Sequence, residues 1–422
     1  MNCKVEKSSL SGKIVCPSNK SYTHRAIMIG ALAKKTSIIK NVLQSKDTCA
    51  TFEACRTFGA RVNETGNDII IKGIKEFKNN NKIDAKNSGT TIRIAAAIAA
   101  LSGGQTVLTG DESLKQRPMQ PLLDALESLG AKCSSTEGKP PILVSGIIKG
   151  GEIKIPGNIS SQFITALMIV APRTERGMVL NIDGDLVSKP YLNATISVME
   201  KFGVKVNAIE PYKKYQISPQ EYISTTLTIP TDFSSLALLL SAAVLLGEDL
   251  TIEVRMGDMP QGDEKILDML ELLGVEVTLN ESIITVKSPE KLKGGKFDLK
   301  NTPDLLPPLS ILALKTSKPI ELFNVKHARY KETDRITILS RELQKLGIKI
   351  KEKEDGMILE SPDKSHGAKL NSENDHRLFM AFCIAGMYVG NCTVSNPESI
   401  AISYPNFLSD LNKVGAKIKS NL

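Results

Sequence analysis

A short pattern recurs six times along the 422 residues of this chain and limits the folds that it can adopt. In each copy, an amphipathic helical stretch ends in an apolar residue and a glycine, and apolar and charged residues then alternate. Because glycine readily adopts the left-handed conformation that ends a helix, we predict a helix before each glycine and a half-buried strand after it. The glycines follow one another at intervals of 68 to 73 residues and are Gly59, Gly130, Gly203, Gly274, Gly347 and Gly415.

Each repeat also contains a second helical run that is apolar on all sides, and a β-branched strand follows it. Helices of this kind are buried, so each repeat is predicted to be βαβαββ. A single hydrophobic core rarely grows beyond about 250–300 residues. We therefore predict two lobes of three repeats, with a crossing between them near residues 227–232. The apolar runs are residues 26–33, 92–100, 163–171, 236–245, 305–314 and 378–385.

Composition narrows the functional classes. A formal net charge of +8 suits nucleic acid, a membrane surface or small anionic substrates. The chain has no Trp and 5% aromatic residues, which argues against a platform for stacking bases. No apolar stretch approaches the length of a membrane span, and none near the N-terminus resembles a secretory signal. Seven scattered cysteines without a CxxC pair lead us to expect the reducing cytoplasm.

Neither a metal nor an organic cofactor is expected from the motifs. The four histidines lack the spacing of metal ligands. The chain contains no Walker A loop and no G-x-G-x-x-G dinucleotide loop. The reaction chemistry is therefore expected to come from the side chains alone.

Cations gather with Ser, Thr and Gly where helices are predicted to begin. A positive side chain opposes the helix dipole there, so its repeated use suggests that anions bind at these helix starts. Ordinary N-capping is an alternative for the Ser, Thr, Asn and Asp residues of these clusters. Asp304 and Glu332 could act as bases or could simply pair with a neighbouring arginine. The cations are Lys20, Arg25, Arg93, Arg117, Lys331, Arg335 and Arg377.

Eight motifs in this order resemble the family of 5-enolpyruvylshikimate-3-phosphate synthases across essentially the whole chain. They are Pro17-Ser18-Asn19-Lys20-Ser21 with Arg25, Asn87-Ser88-Gly89-Thr90 with Arg93, Arg117-Pro118, Ser160-Ser161-Gln162, Ser188-Lys189-Pro190-Tyr191, Pro303-Asp304, Lys331-Glu332-Thr333-Asp334-Arg335 and Asp375-His376-Arg377. The resemblance implies a two-lobed inside-out α/β barrel of six βαβαββ repeats, three per lobe. It also implies a discontinuous lobe of residues 1–18 and 231–422, an inserted lobe of residues 19–230, and an active site in the cleft between them.

The activity implied by this resemblance is transfer of the enolpyruvyl group of phosphoenolpyruvate to the 5-hydroxyl of shikimate 3-phosphate. The reaction would proceed by addition and elimination through a tetrahedral intermediate, without a cofactor. A cytoplasmic monomer that binds neither nucleic acid nor membrane is expected. The herbicide glyphosate, which competes for the phosphoenolpyruvate site in this family, is expected to inhibit it.

The resemblance also assigns roles to individual residues. Asp304, Glu332 and Lys20 would be catalytic, with Asp304 as the base toward the 5-hydroxyl. Shikimate 3-phosphate would be bound by Lys20, Ser21, Arg25, Ser160, Ser161, Gln162, Ser188, Tyr191, Asp304 and Lys331. Phosphoenolpyruvate would be bound by Lys20, Asn87, Gly89, Arg117, Gln162, Arg335 and Arg377.

Two positions depart from the family pattern, and one sister activity competes with it. Ser403 stands where a lysine usually contacts phosphoenolpyruvate, and His327 stands where an asparagine touches the shikimate ring. The sister enzyme acts on UDP-N-acetylglucosamine and carries a cysteine in the loop before Arg117. Residues 111–117 contain no cysteine, which favours shikimate 3-phosphate as the acceptor.

Overall fold

The computed structural model describes residues 1–420, and its elements follow the predicted repeat. The strands are β1 (Asn2–Glu6), β2 (Leu10–Val15), β3 (Thr36–Lys40), β4 (Arg61–Thr65), β5 (Asp68–Lys72), β6 (Asn81–Asp84), β7 (Gln105–Thr109), β8 (Lys132–Thr136), β9 (Lys139–Ser145), β10 (Gly151–Pro156), β11 (Met178–Asp183), β12 (Asn207–Glu210), β13 (Lys214–Ile217), β14 (Thr226–Thr228), β15 (Gly247–Glu253), β16 (Glu276–Asn280), β17 (Ile283–Lys287), β18 (Gly295–Asp298), β19 (Ile320–Phe323), β20 (Lys349–Lys353), β21 (Gly356–Glu360), β22 (Lys369–Leu370), β23 (Cys392–Ser395) and β24 (Lys417–Ser420). The α-helices are α1 (Lys20–Leu32), α2 (Lys46–Phe58), α3 (Gly89–Ala99), α4 (Gln120–Ser128), α5 (Ser161–Val170), α6 (Pro190–Lys201), α7 (Phe233–Leu246), α8 (Ile266–Leu272), α9 (Leu306–Leu312), α10 (Arg335–Gln344), α11 (His376–Val389) and α12 (Phe407–Lys413).

Among these residues the strands form six four-stranded sheets, one for each repeat. The sheet β6-β7-β9-β8 shows the common plan: β6 and β7 run parallel, β7 and β9 antiparallel, and β8 and β9 form an antiparallel hairpin. The parallel pair requires a crossover connection, which α3 supplies. The predicted βαβαββ repeat and its six copies are therefore confirmed.

The chain divides into two compact units, each with three of the sheets. The discontinuous unit contains Met1–Pro17, Thr231–Gly257 and the chain from Gly262 onward. The inserted unit contains Ser18–Pro230 and the short segment Asp258–Gln261. Each unit has its own hydrophobic core, as the size limit on a single core requires.

Three sheets are completed by strands that lie far away in sequence. In the discontinuous unit, β2 runs parallel to β15, while β1 pairs antiparallel with both β23 and β24. In the inserted unit, β14 runs parallel to β3. Each unit is thus held together by pairing between the ends of the chain segments that form it.

The second helix type is buried, and the glycine after the amphipathic helix ends it as predicted. In α7 every residue is buried, because its sequence FSSLALLLSAAVLL offers no charged side chain to a solvent face. All six repeat glycines have a positive φ, between 81° and 114°. At Gly59 a Cβ atom would also lie 2.9 Å from the Glu76 carbonyl oxygen, so glycine is required there by both conformation and space. None of the helices within residues 1–420 is long and apolar enough to cross a membrane.

Candidate active site

The start of α1 in the inserted unit presents Lys20 and Ser21. Asn19 caps this helix by accepting a hydrogen bond from the Tyr22 backbone N–H at 2.8 Å, so the capping residue is Asn19 and not Ser21. The Lys20 Nζ lies 2.9 Å from Oδ2 of Asp47, a buried residue in the first turn of α2. Asp47 was missed because an acidic residue at that position of a helix looks like an ordinary favourable dipole interaction.

Arg25 is buried and joins two other predicted residues, Ser21 and Tyr191. Its Nη1 donates to the Ser21 carbonyl oxygen at 3.0 Å, and its Nη2 donates to the Tyr191 carbonyl oxygen at 3.2 Å. Its Nε donates to Thr195 Oγ1 at 2.9 Å. Burial lowers the pKa of Arg25 to about 10, which leaves the guanidinium charged at neutral pH. Arg25 therefore supplies a fixed positive charge beside the starts of α1 and α6.

The serines of the inserted unit separate into two kinds. Ser160 is an N-cap, because its side chain accepts from the Gln162 N–H at the start of α5. Ser188 is not one: the N-cap of α6 is Lys189, and Ser188 has a positive φ of 57°. A serine in this conformation is strained, and such strain concentrates at functional sites. The capping alternative thus accounts for Ser160 but not for Ser188.

Two guanidinium groups and an amide converge on Gly89, the first residue of α3. A Cβ atom on Gly89 would lie 3.1 Å from Arg93 Nη1, 3.2 Å from Arg117 Nη1 and 3.4 Å from Gln162 Oε1. Arg117 Nη2 also donates to Asn87 Oδ1 at 3.0 Å. The glycine leaves room beside the two guanidinium groups for an anion that also meets the helix N-terminus.

Arg93, which the sequence analysis placed among the anion-binding cations but in neither substrate set, contacts the other residues around Gly89. Its Nη1 donates to Gln162 Oε1, and its guanidinium carbon lies 5.0 Å above the Phe163 ring. The Gln162 amide in turn donates to Thr90 Oγ1 at 3.1 Å. The spacing of Arg93 four residues after Gly89 placed it on the same helix face, and this signal could have assigned it.

The charged residues of the discontinuous unit form a buried cluster around Arg335. Its Nη1 lies 2.8 Å from Asp304 Oδ1, its Nη2 2.6 Å from Glu332 Oε2, and its Nε 2.7 Å from Asp375 Oδ2. Burial alone would lower the pKa of Arg335, but Asp375, Glu332 and Asp304 hold that pKa above its ordinary value. Lys331 and Glu332 lie in the turn just before α10, whose N-cap is Asp334.

Asp304 is ionised in this cluster. Its Oδ2 lies 3.2 Å from Arg377 Nη2, and its Oδ1 lies 4.0 Å from Lys331 Nζ. Burial by itself raises the pKa of this carboxyl, but Arg377, Lys331 and Arg335 outweigh burial and hold the pKa well below its usual range. In this structure Asp304 is therefore paired with arginines, which is the second of the two roles that the sequence left open. Asp304 can act as a base only when these cations contact another group instead.

Asp263, which the sequence did not single out, has a raised pKa, in contrast to the lowered pKa of Asp304. It is buried, and its Oδ1 has no hydrogen-bond partner within residues 1–420. Burial, with Asp304 and Asp232 nearby, raises the pKa of Asp263 to about 8 despite Arg377 and Lys331. Two carboxyl groups of one cluster are thus driven to different protonation states at neutral pH.

The two positions that depart from the family pattern are both buried. Burial lowers the pKa of His327 to about 4, with Lys331 contributing, so this imidazole is neutral. Ser403 is inaccessible to solvent, and its hydroxyl makes no hydrogen bond in the described part of the chain. No group of three or more His, Cys, Asp and Glu residues there could hold a metal ion.

The fold and these clusters define the class of the protein. The fold is similar to that of the enolpyruvyl transferase NikO from Streptomyces tendae, at a TM-score of 0.78 and 18% identity, with 99% of this chain and 98% of that chain covered. An EPSP synthase from Acinetobacter baumannii matches at a TM-score of 0.81 and 25% identity, with 99% of each chain covered. The fold is that of the enolpyruvyl transferases.

Sequence comparison identifies the family within this class. The family model described as EPSP synthase (3-phosphoshikimate 1-carboxyvinyltransferase) matches residues 5–411. A protein named 3-phosphoshikimate 1-carboxyvinyltransferase from Nitrosopumilus maritimus is 63% identical over 99% of this chain and 100% of its own length. One of the same name from Methanosarcina acetivorans is 43% identical over 99% of each. The chain belongs to the EPSP synthase family, and its activity is that of a 3-phosphoshikimate 1-carboxyvinyltransferase rather than of the UDP-N-acetylglucosamine enzyme.

Proposed function

We propose that the chain uses Asp304 as the base that activates the 5-hydroxyl of shikimate 3-phosphate for attack on phosphoenolpyruvate. The observation that carries this proposal is the contact of Asp304 with Arg335 and Arg377. These are the two cations to which the carboxylate of phosphoenolpyruvate is assigned. A substrate carboxylate that engaged both arginines bidentately would weaken their hold on Asp304. The pKa of Asp304 would then rise toward the range in which a carboxylate accepts a proton effectively.

The acceptor substrate is assigned mainly to the inserted unit. Ser21 and Arg25 bind the shikimate carboxylate, which the buried, charged Arg25 favours. The phosphate is bound by Ser160, Ser161, Ser188 and Lys331, and Gln162 and Tyr191 lie beside the ring. The strained backbone of Ser188 supports its part in this set. Of the residues assigned to this substrate, Lys331 and Asp304 belong to the discontinuous unit.

The donor substrate is assigned to the cradle around Gly89 and to the arginines of the other unit. The phosphate of phosphoenolpyruvate meets Lys20, Asn87, Gly89, Arg117 and Gln162, and its carboxylate meets Arg335 and Arg377. We add Arg93 to the residues that bind the phosphate of phosphoenolpyruvate, because its Nη1 lies beside the same face of Gly89. Several charged donors are available for one small polyanion, which suits a ligand bound mainly through charge-assisted hydrogen bonds.

The reaction steps balance with the groups at hand. Asp304 takes the proton of the 5-hydroxyl as that oxygen attacks C2 of phosphoenolpyruvate, and a proton is added to the methylene carbon. The resulting tetrahedral ketal phosphate then loses a proton from the new methyl group and expels phosphate, which restores the vinyl double bond. We assign the proton transfers at the methylene carbon and at the leaving phosphate jointly to Glu332 and Lys20. The steps need no metal or organic cofactor.

The test is release of phosphate from phosphoenolpyruvate, with and without shikimate 3-phosphate, in metal-chelated buffer. We expect release only when both substrates are present, at a rate that the chelator does not change. Phosphate release that requires UDP-N-acetylglucosamine instead would contradict the assigned acceptor substrate. Release that stops on chelation would contradict a reaction without a metal.

We further propose that the enzyme is a cytoplasmic monomer. Its seven cysteines are all free, and burial raises the pKa of the Cys55 thiol to about 12. This suits a reducing compartment. Light scattering coupled to size exclusion tests the oligomeric state: the expected mass is that of one 45.8 kDa chain, and twice that mass would contradict it.

A further inference from the structure

A line of buried hydroxyl groups connects His24 to the start of α3 in the inserted unit. His24 Nδ1 lies 2.6 Å from Thr51 Oγ1, and Thr51 Oγ1 lies 2.7 Å from Thr91 Oγ1. Thr91 Oγ1 donates to Ser88 Oγ at 2.7 Å. All four residues are buried, and the three hydrogen bonds join α1, α2 and α3.

The direction of the hydrogen bonds fixes the form of the histidine. A threonine hydroxyl has a single proton, and Thr91 gives its proton to Ser88. Thr51 must therefore donate to Thr91, and its oxygen can then only accept from His24. We assign the neutral imidazole with its proton on Nδ1.

The surroundings of His24 support this neutral form. Its Nε2 has no hydrogen-bond partner in the part of the chain that the structure describes. Burial, with Lys20 and Arg25 nearby on α1, lowers the pKa of His24 well below its usual value. An imidazolium would place a proton on Nε2, where no acceptor lies. His24 therefore stays neutral and donates a hydrogen bond only through Nδ1.

The line ends at the residue that caps α3. Ser88 Oγ accepts both the Thr91 hydroxyl and the Thr91 backbone N–H, the latter at 3.1 Å. Gly89 follows directly as the first helical residue, and Arg93 lies one turn further on the same helix. The orientation of this cap sets the direction in which the Gly89 N–H and the Arg93 guanidinium are presented.

We propose that His24 is a positioning residue for phosphoenolpyruvate binding, which acts through Thr51, Thr91 and Ser88 on the anion-binding start of α3. The inference rests on the assignment of Gly89 to the phosphoenolpyruvate subsite. A core histidine that only fills space would behave differently from a positioning residue. Its loss would lower the stability of the protein and would raise the KM values for both substrates together.

The experiment is steady-state phosphate release with each substrate varied, for His24→Leu, Thr51→Val and Thr91→Val. Each change removes one donor at nearly constant volume. We expect the KM for phosphoenolpyruvate to rise roughly threefold to tenfold, the effect of losing one buried hydrogen bond. The kcat and the KM for shikimate 3-phosphate should stay within about twofold, since most of the groups assigned to them, among them Ser160, Ser188 and Asp304, lie outside α1, α2 and α3.

Three further variants sharpen the test. His24→Asn retains an N–H donor near the position of Nδ1 and should recover most of the affinity that His24→Leu loses. His24→Leu combined with Thr91→Val should be no worse than the more severe single variant, because both interrupt one line of bonds. Thr106→Val is the matched control: it removes a buried hydroxyl of β7 that has no partner within residues 1–420, and it should change nothing.

Two results would overturn the proposal while the wild-type chain remains active. One is an unchanged KM for phosphoenolpyruvate in the three single variants. The other is an equal rise in both KM values that follows a fall in thermal stability. A wild-type chain that releases no phosphate would instead refute the proposed function, so the two failures are distinguishable. Thr91→Val, which exchanges one hydroxyl for a methyl group, keeps the test decisive even where His24→Leu does not fold.

Discussion

Asp304 and Arg335 form a buried ion pair in which Oδ1 of the carboxylate lies 2.8 Å from Nη1 of the guanidinium. Arg335 also binds Glu332 and Asp375 through its other nitrogens. Removing a charge from such a pair leaves its partner buried and uncompensated. Tests of Asp304 therefore need a substitution that keeps the shape and hydrogen-bonding atoms of the side chain.

Asp304→Asn is expected to lower kcat by at least ~10²-fold, in the range for loss of a general acid–base group. The amide retains an acceptor for Arg335 but cannot take the proton of the 5-hydroxyl. Phosphate release measures kcat, and a thermal shift on addition of shikimate 3-phosphate checks that the acceptor still binds. Asp298→Asn, on the exposed end of β18, is the matched control and should keep full activity. A near-normal kcat in Asp304→Asn would remove Asp304 from the mechanism.

Asp263→Asn is expected to make the protein more stable than the parent at alkaline pH. A carboxyl with a raised folded-state pKa contributes stability that is present below its unfolded pKa, about 3.9, and that is lost as pH rises through the folded pKa. For Asp263 that folded pKa is about 8. The parent should therefore lose stability between about pH 4 and pH 8, by at most ~1.4 kcal/mol per unit from this group, whereas the asparagine variant should not.

The measurement is urea unfolding of parent and variant at about pH 5, 7 and 9, with the difference taken at each pH. Taking the difference cancels the contributions that histidines and other groups common to both proteins make to the pH dependence of the free energy of unfolding. Asp258→Asn serves as the control, because Lys201 lowers the pKa of this exposed carboxyl and its titration falls below the range tested. A difference for Asp263→Asn that stays constant with pH would show that Asp263 is ionised throughout.

The repeat was predictable because it depends on local patterns. Glycine after an amphipathic helix predicts a left-handed cap, and all six repeat glycines adopt positive φ. The apolar runs predicted buried helices, and α7 is buried along its whole length. These signals lie within one turn or one strand of the residue concerned, where sequence determines conformation directly.

The features of the site that the sequence did not predict depend on residues that are distant in sequence. Asp263 has its raised pKa because the fold buries it near Asp304, and nothing in the residues around it indicates this. Ser188 has a left-handed backbone that no neighbouring glycine or asparagine predicts.

Arg329→Lys is expected to destabilise the protein by ~1–3 kcal/mol and to lower kcat by about tenfold. Arg329 donates to both oxygens of Asp334 at 3.0 and 2.7 Å, and Asp334 is the N-cap of α10. It also donates to Glu352 Oε1 and to the carbonyl oxygens of Lys353 and Glu354. A lysine cannot reproduce this planar set of donors, so the turn that carries Glu332 should lose its fixed position.

Denaturant unfolding and phosphate release measure these two effects of Arg329→Lys. Arg341→Lys is the matched control, because Arg341 lies on the same α10 but pairs with Glu342 and Glu373 at a partly exposed position. Its exchange should change the free energy of unfolding by no more than ~0.5 kcal/mol and should leave kcat unchanged. Full activity in Arg329→Lys would show that the turn is positioned without this side chain.

Gly89→Ala is expected to raise the KM for phosphoenolpyruvate by roughly tenfold, which corresponds to ~1.4 kcal/mol. The new methyl group would lie 3.1 to 3.4 Å from Arg93, Arg117 and Gln162, so it would occupy the space assigned to the donor phosphate. Glyphosate, for which we expect competition with phosphoenolpyruvate, should lose potency in the same variant. Steady-state kinetics with and without glyphosate measure both effects.

The same substitution should not destabilise α3, which makes Gly89→Ala a clean test of the subsite. Gly89 is the first residue of a regular helix and does not have a positive φ, so alanine can adopt its backbone conformation without strain. A rise in the KM for phosphoenolpyruvate without a fall in thermal stability therefore points to lost space beside the three side chains. An unchanged KM would mean that the phosphate of phosphoenolpyruvate binds away from Gly89, and the roles assigned to Arg117 and Gln162 would fall with it.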